Sequence, residues 1–281
     1  MMMTNAWKRT LLAVALGVVF TVSAAWAQKA PQPKSQKEVE ALQAIQKATG
    51  PDAQLKAIDN VLENFADTDY KVTLLQMGMQ IAEQKGDFAL TVTYAERTLE
   101  ADPKNMLALA TLALETVAHT REFDLDKDEK LAKAEKYANQ AIANAKDAPK
   151  ARPDLTDDQW NSVKKDVAAQ AHDSLGRVAT LRKKNDVAIT EFKTSLDVGA
   201  TPDSTTMVRL GQAYLQTGKF DEAISWFDKA SATPNAPQAV KSVAASQKLE
   251  ALKMKEKAAG GTKPPTPPPA APPPGQVEIK K

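Results

Sequence analysis

Between Glu38 and Lys257 apolar side chains recur at spacings of three and four, interrupted by glycine, proline and short runs of charge. That period puts about one residue per turn on a common face and predicts amphipathic helices. The period-two alternation of a half-buried strand is nearly absent. The pattern is clearest over residues 203–237. Met207, Leu210, Gly211 and Tyr214 share one face of a helix over 203–217, and Ala223, Phe227 and Ala230 share a face of another over 220–232. Gly218 between them suits the positive φ of a helix end, Asp221 is placed to cap the second helix, and Pro234 closes the pair. Gly211 and Ala223 are small where bulk would hold the helices apart, while Tyr214, Phe220 and Phe227 supply aromatic area around the contact.

The order Leu210, Gly211, Tyr214, Gly218, Phe220, Ala223, Phe227, Ala230 resembles the tetratricopeptide repeat, a helix-turn-helix unit of roughly 34 residues. Met207 stands where that family has Trp, and Pro234 comes one place early for its closing proline. One such unit cannot cover its own apolar face, so neighbours are required. Residues 169–202 supply one through Leu175, Gly176, Ala179, Ala188, Phe192 and Ser195, with Leu175 and Phe192 each 35 positions before Leu210 and Phe227. His172, Ala179 and Asn185 depart from the family's pattern there and predict a looser hairpin. Residues 72–105 carry Met77, Gly78, Ile81, Gly86, Phe88, Thr91, Ala95 and Pro103, with Gly78 one place before its slot, which leaves its close contact in doubt. Residues 106–149 place Leu109, Leu112 and Ala113 ahead of Ala134, Ala138 and Ala141, around a polar insertion at 119–130 that holds Phe123 and Leu125. A degenerate pair occupies 38–68 through Leu42, Ile45, Leu55, Ile58, Val61 and Leu62. Thr156 and Gln159 form a capping-box pattern for a helix that runs on into the fourth unit and brings Trp160 to the third. Residues 238–258 read as a capping helix that buries Val240, Val243 and Ala244. The expected fold class is all-α, a superhelical array of antiparallel helix pairs (TPR-like α-solenoid) over residues 38–258.

The two ends differ from this. Lys8 and Arg9 precede an apolar run from Leu11 to Ala25 and the triplet Ala25-Trp26-Ala27, the pattern of a secretory signal over 1–27 with cleavage after Ala27. The run falls short of the roughly 20 residues a bilayer span needs, so no transmembrane segment is expected in the mature chain. Export to the periplasm or the extracellular space follows. Residues 28–37, with Pro31 and Pro33, read as a disordered lead-in, and 259–281 as a disordered proline-rich tail of polyproline II character.

Charge narrows the function. Without the signal the chain has 35 basic and 35 acidic side chains, and no basic stripe with interleaved aromatics, so nucleic acid is not an expected partner. There is no cysteine, hence no disulfide and no zinc set, and the only histidines are His119 and His172. Spacing places neither beside a serine or carboxylate. Asp124, Asp126, Asp128 and Glu135 approximate a calcium loop, but Glu129 stands where the sharp turn needs glycine and Lys127 and Lys130 oppose the charge. Helix capping and solubility explain these acids more simply. No catalytic set, cofactor, metal or small-molecule substrate is therefore expected.

The resemblance implies a concave groove lined by the first helix of each unit. The family's groove places fall on Thr73, Gln76, Gln80 and Glu83, then Leu107, Ala110, Leu114 and Val117, then Asp173, Arg177 and Leu181, then Val208, Gln212 and Gln216. The middle of that surface is apolar and its flanks are rich in amides. The Lys and paired Asn with which some family members clamp a chain-terminal carboxylate are missing. The implied function is a non-enzymatic protein-protein interaction or scaffolding module of the cell envelope, binding a peptide segment or helix of another protein. The alternative is an envelope anchor or spacer whose proline-rich tail is the main docking element.

Overall fold

The computed structural model describes residues 31–150 and 154–260. The signal and most of the proline-rich tail lie outside the described residues. Within them are eleven helices and no strand: α1 Gln36–Lys47, α2 Pro51–Asn64, α3 Lys71–Lys85, α4 Phe88–Ala101, α5 Met106–Ala118, α6 Lys127–Asp147, α7 Asp157–Leu181, α8 Asn185–Val198, α9 Ser204–Gln216, α10 Phe220–Ala232 and α11 Gln238–Gly260. They pair as successive antiparallel hairpins, α1 with α2 through α9 with α10, and each pair packs on the next. The helices expected from the period form, in the all-α solenoid that the repeat resemblance implied.

Side chains at the helix starts say why the elements begin where they do. Ser35, Asp87 and Asn105 each accept a first-turn N–H, from Glu38, Leu90 and Ala108. Thr156 and Gln159 complete a reciprocal capping box ahead of α7. Asp203 caps α9, but Asp221 does not cap α10. The latter helix starts two residues earlier than that cap requires, after Lys219, and Asp221 sits in its first turn, where its charge favours the helix dipole and pairs with Lys255.

Three hairpins turn with one geometry. Gly86, Lys183 and Gly218 all have positive φ, of 69°, 60° and 72°. The next N–H in each case reaches back five residues, from Asp87 to Ala82, Lys184 to Ala179 and Lys219 to Tyr214, the long bond of a Schellman ending. Only Lys183 has a Cβ to accommodate in that left-handed region. Lys183→Gly is expected to raise stability by about 1 kcal/mol, the strain removed outweighing an exposed ion pair with Glu122, which thermal unfolding of the two proteins measures.

Three of the hairpins are closed by a shared contact. A Cβ built on Gly78 would lie 2.5 Å from Tyr94 Cε1, on Gly176 2.5 Å from Phe192 Cδ1, and on Gly211 2.6 Å from Phe227 Cε1. In each hairpin the ring lies 16 positions after the glycine. The doubt about Gly78 is thereby resolved. Measured against the small buried residues Thr91 and Thr98, Tyr94 is displaced by one place as Gly78 is, so glycine and ring moved together and still meet. The expected looseness of 169–202 is also corrected: Phe192 is 1% exposed and its approach to Gly176 is as close as in the other hairpins. Burial together with the Asp59 carboxylate, which accepts its O–H at 2.9 Å, pushes the Tyr94 phenol up and keeps it neutral.

Two expectations at the ends need revision. Residues 31–35 are not a free lead-in. Tyr70 donates its O–H to Pro31 O at 3.0 Å, and Lys34 bonds the Asp67 side chain and pairs with Asp69. Behind them the Glu38 carboxylate, 1% exposed, accepts from Lys34 N and Thr68 Oγ1, both at 2.6 Å. Fully bonded in this way, a buried carboxylate is tolerable, and it fastens the segment to the loop after α2. In α11 the buried side is Val240, Ala244 and Ala251, while Val243 faces solvent, 46% exposed.

Candidate functional site

The first helices of the pairs, α3, α5, α7 and α9, carry the side chains assigned to the groove. Asn105, at the cap of α5, fixes Gln76 by accepting from its amide at 3.0 Å, and Thr111 donates to Glu83 at 2.9 Å, so α3 is tied to α5 along this face. Thr73 is exposed. On α5, Leu107 and Leu114 are half-buried. On α7, Arg177 and Leu181 are half-buried, and on α9 Gln212 is half-buried and Gln216 exposed.

Five of the assigned positions are occupied by the fold itself. Ala110 and Val117 are 1% and 2% exposed, Val117 packing with Leu131, Ala134 and Val178. Gln80 is buried, and Val208 packs in the cluster that includes Val240 and Ala244 of α11. Asp173 is buried too, and its carboxylate accepts from Thr206 Oγ1 at 2.9 Å and from Arg209 Nη1 with both oxygens at 2.9 Å. Adjacent first helices in this chain lie close enough that a face open in one repeat becomes an interface between two. What stays accessible is Thr73, Gln76, Glu83, Leu107, Leu114, Arg177, Leu181, Gln212 and Gln216.

Arg177 stands apart among these. It lies one turn beyond Asp173 on α7, yet Asp173 is already saturated by Arg209 and Thr206, and Arg177 makes no hydrogen bond or ion pair among the described residues. Burial first, then the charge of Arg209, pushes its guanidinium below the ordinary arginine value, against weaker pulls from Asp173 and Glu115. Two turns back on the same stripe, Gln170 has an enclosed Nε2 with no acceptor among the described residues. The sequence reading missed Arg209 and Thr206. Arg209 was visible beside the groove place Val208, but nothing in one sequence says that it reaches across to α7.

The other candidate chemistry is used structurally. His172 Nδ1 lies 2.8 Å from Glu191 Oε2, a carboxylate partner that sequence spacing did not disclose because it comes from the facing helix α8. His119 stacks on Phe88 with ring centroids 3.8 Å apart. The acids of the insertion do not converge on a cation: Asp124 and Asp126 bind Lys130, and Glu135 accepts from Arg182 Nη1 at 2.6 Å. Among the described residues no group of three or more metal-ligating side chains comes together, and no helix is long and apolar enough to cross a membrane. Phe123 and Leu125, in contrast, project from the insertion 93% and 107% exposed, beside an opening of about 430 Å³ that Leu181, Lys183 and Lys184 help to line.

Residues 204–232 match the family model described as Tetratricopeptide repeat. No curated protein matches the chain in sequence. Among solved structures, TTC0263, a thermophilic TPR protein of Thermus thermophilus, is similar with a TM-score of 0.51 at 19% identity, over 76% of this chain and 96% of that one. The assembly chaperone of RpL4 (Acl4) aligns at a TM-score of 0.42 and 14% identity over 82% and 100% of the two chains, and the MamA protein at 0.34 and 18% over 70% and 99%. The likeness to TTC0263 is one of fold. Residues 204–232 thus match one tetratricopeptide repeat, set in an array whose fold is similar to that of TTC0263.

Proposed function

We propose that the chain is a non-enzymatic scaffold of the cell envelope that binds a segment of another protein along the concave side of its helix array. The observation that carries this reading is the row of side chains left accessible on successive first helices, Leu107 and Leu114 on α5, Leu181 on α7 and Gln212 on α9. Apolar anchors flanked by amides suit a peptide or an amphipathic helix, which brings its own apolar residues and main-chain groups. Export rests on residues 1–27, whose charged start, apolar run and Ala25-Trp26-Ala27 ending support cleavage after Ala27.

The test is affinity capture from an envelope extract with the exported chain and two variants. Leu114→Glu, which puts a charge among the apolar anchors, is expected to lose the captured partner by roughly 10-fold or more. Gln212→Ala is expected to weaken it by a few-fold. Removing residues 260–281 is expected to leave capture intact. Undiminished recovery with Leu114→Glu, at an unchanged melting temperature, would remove the groove from the account. Loss only on removing the tail would favour the tail as the docking element.

A further inference from the structure

Resting on the groove reading, we propose that Arg177 is the anchor for a carboxylate side chain, so that the segment held on α7 carries an Asp or Glu flanked by apolar residues. Arg177 is half-buried yet makes no hydrogen bond or ion pair among the described residues, on a helix face where the neighbouring carboxylate is saturated from α9. Glu115 on α5 is the other acid whose field reaches it, and that field is the weaker of the two. Glu115 is itself engaged, its Oε2 lying 3.5 Å from His119 Nδ1. A guanidinium held like this is partly desolvated without receiving a counter-charge. An incoming carboxylate supplies it, and the planar fork of arginine binds both carboxylate oxygens at once.

The surroundings decide among anions. Leu114 on α5 and Leu181 on α7 give the flanking contacts a peptide needs, and one open guanidinium without a basic stripe does not fit a nucleic-acid backbone. The amide and lysine set that would fix a chain end is absent, which favours a side chain over a terminal carboxylate. Gln170 leaves a second donor unsatisfied on the same stripe, seven residues and about 10 Å along the helix. That distance corresponds to roughly three residues of an extended chain, so a main-chain carbonyl three places from the acid is in range of it.

The experiment follows the Arg177 Nε–Hε signal in the full chain during titration with a blocked peptide, acetyl-Ala-Leu-Ala-Glu-Ala-Leu-Ala-amide. The same peptide with Gln for Glu, and acetyl-Ala-Leu-Ala with a free carboxyl end, are the comparisons. The expected result is a saturating shift with the Glu peptide in the millimolar range, binding at least about 10-fold weaker with the Gln peptide, and weaker binding of the free-ended peptide. Arg177→Gln, checked for an unchanged melting temperature, is expected to lower binding of the Glu peptide by a similar factor, read from backbone amide shifts. Equal binding of Glu and Gln peptides, or no effect of Arg177→Gln, overturns the carboxylate anchor. If Leu114→Ser, which adds no charge, still weakens both peptides, the groove survives that failure, and if it weakens neither, the groove falls as well. Tighter binding of the free-ended peptide overturns the side-chain assignment, and no saturation with any peptide overturns the anchor altogether.

Discussion

Phe227→Ala lowers the unfolding free energy by about 3–5 kcal/mol, the range for deleting a large buried ring. The side chain is fully buried, it fills the space that Gly211 leaves, and it packs with Ala223, Ala230, Val240 and Ala244. The companion change has an instructive sign. In an open helix Gly→Ala gains about 1 kcal/mol of helix propensity. At Gly211 the new methyl would lie 2.6 Å from Cε1 and 2.8 Å from Cδ1 of Phe227, and a ring wedged in a core has no free end to swing away. Overpacking of this kind costs about 1–3 kcal/mol, so Gly211→Ala is a net loss. Gly211→Ala combined with Phe227→Leu loses less than the sum of the two singles, because the smaller side chain vacates the space that the methyl needs. Urea unfolding of the four proteins measures the coupling, and strict additivity would contradict the interlock.

Asp173→Ala costs about 2–4 kcal/mol, somewhat below the usual range for breaking a buried pair because Arg209 keeps 20% of its side chain in solvent. The loss has two parts. Thr206 and Arg209 give up their shared acceptor, and two guanidinium groups, Arg177 and Arg209, are left facing each other without a carboxylate between them. Adding salt is expected to recover part of the second term by screening it. The double variant Asp173→Ala with Arg209→Ala, assayed by thermal unfolding, is expected to be more stable than Asp173→Ala alone. Equal stability of the two would show that the pair contributes nothing beyond its hydrogen bond to Thr206.

The fold was legible in the sequence for a physical reason. The helical period, the glycine at the Gly218 turn and the pairing of a small residue with a ring are local devices, and one chain displays them all. Thr156 with Gln159, and Trp160 docking on the third unit with its Nε1 bonded to Ala148 O at 2.9 Å, could be read for the same reason. The binding face was less legible. Whether Ala110, Val117 and Val208 face a ligand or the next helix depends on how closely neighbouring hairpins approach, which no local spacing encodes. The same applies to contacts made across chain distance. Glu191 opposite His172, Arg209 opposite Asp173 and Tyr70 over Pro31 each join residues from different elements. The hairpin over 169–202 illustrates the reverse error: His172, Ala179 and Asn185 suggested a looser unit, whereas Phe192 against Gly176 closes it as firmly as its neighbours.

Because Gly78, Gly176 and Gly211 each meet a ring from their own hairpin and not from the one beyond, those three units carry their lock with them. Duplicating residues 203–237, or deleting a matching length, therefore changes how long the array is without removing any lock from the units that remain. The surface presented to a partner can thus grow or shrink in whole steps, a kind of adjustment closed to a protein whose core is shared by all its parts.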